Sequence, residues 1–176
     1  MSFFVIDVEA DGPCPGLYSM VSFAAVKLTD DLSQTFCAKT HPITADFDPE
    51  ALAISCPSRE EHMSYGSPIT AMNDFKDWIL RVNVGSRPVF LTDNLAFDWQ
   101  WINYYFHKFV GENPFGYSGR RIGDLWCGLQ KNAYSSWKHL RDTAHDHDPL
   151  NDAMGNAEAL IKMKRSFGLR GIKITR

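Results

Sequence analysis

Phe3-Phe4-Val5-Ile6 is an unbroken apolar run, as expected of a central strand covered on both faces. A Gly/Pro-rich loop follows over 12–16. Residues 20–28 then read as a second strand and 34–39 as a third, and Thr29-Asp30-Asp31 between them predicts an antiparallel hairpin. The stretch 42–66 has no clear period apart from a short helix around 49–53. Beyond it, Ser67 offers an N-cap and Pro68 a first helical position, and Ile69, Met72, Phe75, Ile79 and Val82 keep a helical period. Residues 88–91 resemble another buried strand. Trp101, Ile102, Tyr105, Phe106 and Phe109 then form the stripe of a second amphipathic helix. The last helix is the most sharply bounded. Asp148 caps it, Pro149 opens it, Gly168 ends it, and Leu150, Ala153, Met154, Ala157, Leu160 and Ile161 form its apolar stripe.

A strand hairpin followed by alternating helices and strands predicts an α/β domain with a mixed sheet. With no linker visible, residues 1–176 read as one domain, with 168–176 as a C-terminal tail. The length of 176 residues, 44% hydrophobic and 22% charged, is enough for a buried core without staples. Cys14, Cys37, Cys56 and Cys127 show neither Cys-x-x-Cys nor zinc spacing, which predicts reduced, mostly buried thiols and a cytoplasmic protein. No signal peptide or membrane-length apolar run is present, so no membrane partner is expected. The five tryptophans are assigned to core packing.

Chemistry enters with the acids. Asp7 and Glu9 are two apart at the end of the first strand, so they share one face and offer hard oxygen ligands for a divalent cation. Alone, the pair fits an acidic strand-to-turn transition equally well. Asp98 follows Asn94 and Phe97 near a helix start, where the helix dipole favours any acid. His147 precedes the last helix and Asp152 lies one turn inside it, and this too can be a solvated helix start.

In combination the three pieces resemble the motifs of the DEDDh family of 3′→5′ exonucleases, which includes polymerase proofreading subunits, ribonuclease T and oligoribonuclease. An apolar strand ending Asp-x-Glu matches 3–9, Asn94 with Phe97-Asp98 matches the second motif, and His147-x4-Asp152 matches the third. The resemblance implies a ribonuclease-H-like fold and a two-metal mechanism. It further implies Asp7, Glu9, Asp98 and Asp152 as ligands of two Mg2+ or Mn2+ ions, His147 as general base, and the 3′ end of a single nucleic acid strand as partner. Pairing of two copies into a homodimer follows from the resemblance alone. The compact chain favours RNA or short oligonucleotides slightly over DNA. The net charge of −3 runs against the basic excess usual in nucleic-acid binders, although metal ligands lower it and their cations offset it locally.

The chain departs from the family where Ala10-Asp11-Gly12 replaces the frequent Thr-Thr-Gly, which would put the Asp11 charge near the terminal sugar or backbone. Leu17 and Tyr18 are expected to pack, with a wedge against the terminal base as the alternative. Asp124 is assigned as an N-cap, Arg120 and Arg121 as a solvated pair, and His139 and His145 lie outside the site because only His147 has an Asp at the right spacing. Two rivals share some of these features. A haloacid-dehalogenase-like phosphatase also begins with a strand ending in acids, but normally has Asp where Glu9 stands and gives His147 and Asp152 no role. A non-catalytic binding module on the same fold would not need all five residues.

Overall fold

The computed structural model describes residues 1–172 and 174. Among these, the strands β1 (Phe3–Ala10), β2 (Met20–Lys27), β3 (Thr35–Lys39), β4 (Val89–Thr92) and β5 (Gly119–Arg121) form one sheet in the order β3-β2-β1-β4-β5. β1, β2 and β3 are antiparallel neighbours, and β4 and β5 continue the sheet in parallel with β1. The helices are α1 (Pro49–Ser55), α2 (Arg59–Met63), α3 (Pro68–Val82), α4 (Leu95–Phe109), α5 (Ile122–Gln130) and α6 (Pro149–Phe167).

The apolar start of β1 is explained by a core on each side. Phe4, Ile6, Val8 and Ala10 join Met72, Phe75, Trp101, Tyr105 and Phe106 of α3 and α4, whereas Phe3 and Val5 join Ala153, Ala157 and Leu160 of α6. The alternation of strand side chains therefore carries the α6-facing row from Phe3 and Val5 directly to Asp7 and Glu9. The α/β class, the hairpin and the long helices stand as the sequence predicts. Asp148 caps α6 by accepting from the Leu150 and Asn151 amides, and Gly168 ends it at φ 61°.

Several details differ. Ile69 is 54% exposed, and Ala71 and Trp78 complete the buried face of α3, because the helix tucks under the aromatic cluster around Phe75. Helix α2 and strand β5 were not anticipated; Gly119-Arg120-Arg121 is a short polar edge paired with β4 and packed at Gly119 against Leu95. The four cysteines are free thiols, but Cys56 alone is buried and Cys37 is exposed on the edge strand β3. Leu169, Ile172 and Ile174 of the tail pack on the α6 core, whereas Lys173 and Arg176 of the basic tail lie outside the described residues. No helix among the described residues is long and apolar enough to cross a membrane.

Candidate active site

Each acid reaches the C-terminal end of β1 for a local reason. Pairing between β1 and β4 stops at Val5–Leu91, which leaves the amides further along β1 without a strand partner on that side. Asp98, in the first turn of α4, fills the gap: it accepts from the Val8 amide at 3.1 Å and from the Thr92 hydroxyl, and it is 3% exposed. Asp152, one turn into α6, is 1% exposed and faces the same row of β1 as Asp7 and Glu9. Oxygens of Asp7, Glu9 and Asp152 lie within 4.8 Å of one another, and Asp98 shares their cleft of about 320 Å³. Glu9 is steadied by the Ser55 hydroxyl of α1, which donates to Oε2 at 3.1 Å.

His147 joins the cluster, with Nδ1 3.7 Å from Glu9 Oε1. Its φ of 62° is a left-handed conformation that costs a non-glycine residue about 1–3 kcal/mol, stored where the ring is turned into the cleft. The exclusion of His145 is corrected by the structure. Its Nδ1 stands 2.6 Å from Asp152 Oδ2, and its ring lies 4.5 Å from that of His147. The approach is off the hydrogen-bonding direction, so both Asp152 oxygens remain buried without a hydrogen bond. Arg141, which no motif marks, lies beside Asp152 with Nη1 3.8 Å from Oδ1. By contrast, His139 meets the Trp126 ring edge-on at 5.7 Å, away from the acids. Asp124 is not an N-cap: Arg121 occupies the cap position and pairs with Asp124 at 2.9 Å.

The electrostatics fit a cation site. Burial holds the Asp7 carboxyl well above the usual range, and the charges of Asp98, Asp152 and Glu9 raise it further against Arg141. Burial likewise pushes Asp98 up to about 7 despite its hydrogen bond from Thr92, and raises Glu9 despite that from Ser55. An all-oxygen set of crowded carboxylates, one with both oxygens unpartnered, suits a hard divalent cation.

Raised folded-state values mean that the metal-free native protein holds more protons than the unfolded chain, so these groups make stability fall as pH rises from the ordinary aspartate value of 3.8 through about 7. In chelator the thermal midpoint should therefore drop across that window, and added divalent metal should restore it. Asp152→Asn should raise the midpoint in chelator at the alkaline end and shrink the gain from metal. Equal metal stabilisation of variant and parent would remove Asp152 from the ligand set.

Asp11 does not face the substrate side of the cleft. It is fully buried, accepts from the Ser19 amide at 2.5 Å and pairs with Arg59 at 2.6 Å, while Arg59 also donates to the Thr44 carbonyl. The acid thus ties α2 and the 44–48 segment to the end of β1. Arg59→Ala would strand a buried carboxylate and should cost about 3–5 kcal/mol of stability, measurable by denaturant unfolding; a loss under about 1 kcal/mol would mean that water reaches Asp11. Tyr18 packs as expected, so closely over Gly12 that a Cβ there would lie 2.2 Å from its ring, but Leu17 is 65% exposed and does not pack.

A mixed sheet in this order, with five acids and two histidines lining one cleft at the end of its central strand, defines the class of ribonuclease-H-like nucleases. No family model matches the chain. A curated Escherichia coli protein, 3′-5′ DNA exonuclease Cap18, is 38% identical over 168 residues, covering 89% of this chain and 88% of the relative. Among solved structures, the nuclease domain of 3′hExo, a DEDDh family member bound to rAMP, matches with a TM-score of 0.73 at 14% identity, covering 94% of this chain and 92% of that one. Cell-death related nuclease 4 matches at 0.74 and 12% identity, covering 94% and 64%. The zinc-bound complex of Escherichia coli ExoI with single-stranded DNA matches at 0.72 and 17%, covering 96% of this chain and 41% of that one. These structures share the fold. The chain belongs to the DEDDh family of 3′→5′ exonucleases. It is a nucleic-acid hydrolase.

Proposed function

We propose that the protein removes nucleotides one at a time from the 3′ end of single-stranded DNA, with Asp7, Glu9, Asp98 and Asp152 holding two Mg2+ or Mn2+ ions and His147 as general base. The observation that carries this reading is the convergence of Asp7, Glu9, Asp152 and His147, from the two ends of the sequence, on one cleft. When bound, two such cations supply Lewis acidity to the attacking and leaving oxygens of the phosphodiester.

The chain's own residues do the rest. His147, half exposed at the rim, takes a proton from the attacking water and passes it to solvent. Its Nδ1 lies 3.7 Å from Glu9, which places the base directly beside the acid cluster. Ser55 keeps Glu9 from swinging out. Beside the acids, sharing Glu9, Phe97 and His147 with their cleft, lies a pocket of about 360 Å³ walled by Ala10, Pro13, Ala51 and Ile54. Its apolar lining suits the base and sugar of the terminal nucleotide. The phosphatase rival loses support, since His147 and Asp152, for which it has no use, stand in the cluster.

The relative's name supports DNA as substrate, against the slight preference for RNA drawn from chain length. A panel of matched DNA and RNA oligonucleotides of several lengths tests it: DNA should be shortened faster at every length. Faster loss of RNA would overturn the DNA assignment and leave the exonuclease activity standing.

A further inference from the structure

The acid cleft is the middle of three depressions in a row. On one side is the apolar pocket already described. On the other is a groove of about 460 Å³ that shares Asp93, Asn94 and Lys138 with the acid cleft and shares no residue with the apolar pocket. An exonuclease cuts between the last nucleotide and the remainder of its strand, so a terminal nucleotide in the apolar pocket sends the remaining strand across the acids to the opposite side.

The groove has the chemistry of a strand path. Arg121 and Lys138 line it, held towards it by Asp93: Arg121 Nε donates to the Asp93 carbonyl at 3.0 Å, and Lys138 donates to the Asp93 carboxylate. Beside these cations stands Tyr134, 97% exposed. Its loop is not loose. The Tyr134 amide donates to Asn132 Oδ1 at 3.0 Å, and the neighbouring Ser135 hydroxyl accepts from Trp126 Nε1 at 2.9 Å. A solvent-exposed aromatic ring on an anchored stretch of backbone, next to two cations, suits stacking of a base while the strand backbone is held electrostatically.

We propose that this groove is the subsite for the strand on the 5′ side of the scissile bond, with Tyr134 stacking a base and Arg121 and Lys138 facing the phosphates. The proposal rests on the exonuclease reading of the acid cleft. In it, the groove sets the preference for a polynucleotide over a minimal ester, and the occupant is a single DNA strand.

The test compares a 5′-labelled oligothymidylate dodecamer with the p-nitrophenyl ester of thymidine 5′-phosphate, which has a terminal nucleotide and no strand beyond it. For Tyr134→Ala the ratio of kcat/KM on the dodecamer to that on the ester should fall about tenfold, mainly through KM, and Tyr134→Trp should restore it. In chelator, where no cleavage occurs, Tyr134→Ala should weaken dodecamer binding by a similar factor. Arg121→Gln should lower the slope of log affinity against log salt by about 0.7. An unchanged ratio, or equal losses on both substrates, overturns the groove assignment and leaves the exonuclease reading intact. A parent protein that neither cuts nor binds the dodecamer overturns both.

Discussion

Asn in place of Asp7 should lower turnover by at least about 10³-fold with either magnesium or manganese, while circular dichroism and expression remain those of the parent. Asp7 sits at the centre of the cluster: burial and three neighbouring acids all raise its carboxyl, so it gains most from a cation and is the costliest ligand to lose. The same substitution should stabilise the protein in chelator, because an amide relieves repulsion that the carboxylate cannot. Activity within tenfold of the parent would remove Asp7 from the metal site. A variant that is dead but also unfolded would show up as a lower midpoint in chelator, opposite to the expected rise.

The second large effect concerns the two histidines, which face different carboxylates of the cluster. His147→Ala should lose about 10²–10⁴-fold in rate with metal affinity retained, and its residual rate should rise with pH as hydroxide replaces the missing base. The acid limb of the parent pH–rate profile should vanish with it. His145 is as exposed as His147 but stands 2.6 Å from the buried ligand Asp152, so His145→Ala should cost about 10–100-fold, expressed partly as weaker metal dependence, and should keep the acid limb. His139→Ala, on Trp126, should be nearly silent. Loss of the acid limb in His145→Ala and its survival in His147→Ala would exchange the two assignments.

The legible part of this protein was local. A strand alternates, so the apolar run ahead of Asp7 and Glu9 already implied two covered faces and two acids on one of them. The cap and first turn of α6 could be read from Asp148-Pro149, which placed Asp152 one turn in. What could not be read depended on contacts between distant segments. Asp11 looked like a charge beside the substrate because its partner, Arg59, is 48 residues away, and Ser55 reaches Glu9 across 46. His145 was set aside on spacing alone, although a histidine two residues from His147 in the same loop was signal enough to keep it. Strand β5 has no apolar pattern to announce it: Gly119 allows the close approach of Leu95 and Phe90, and pairing with β4 does the rest. The groove beyond the acids is assembled from β5, α5 and the loop that follows, and no motif marks it.

Stepwise shortening from the 3′ end is seen by following one single-stranded DNA labelled at its 5′ end, incubated with the protein in magnesium and, separately, in chelator. The account predicts a ladder of labelled products shortening one nucleotide at a time from the 3′ end, with mononucleotides released, and no change in chelator. Immediate release of the labelled 5′ nucleotide, internal cuts, inorganic phosphate as the sole product, or an intact strand in magnesium would each contradict it.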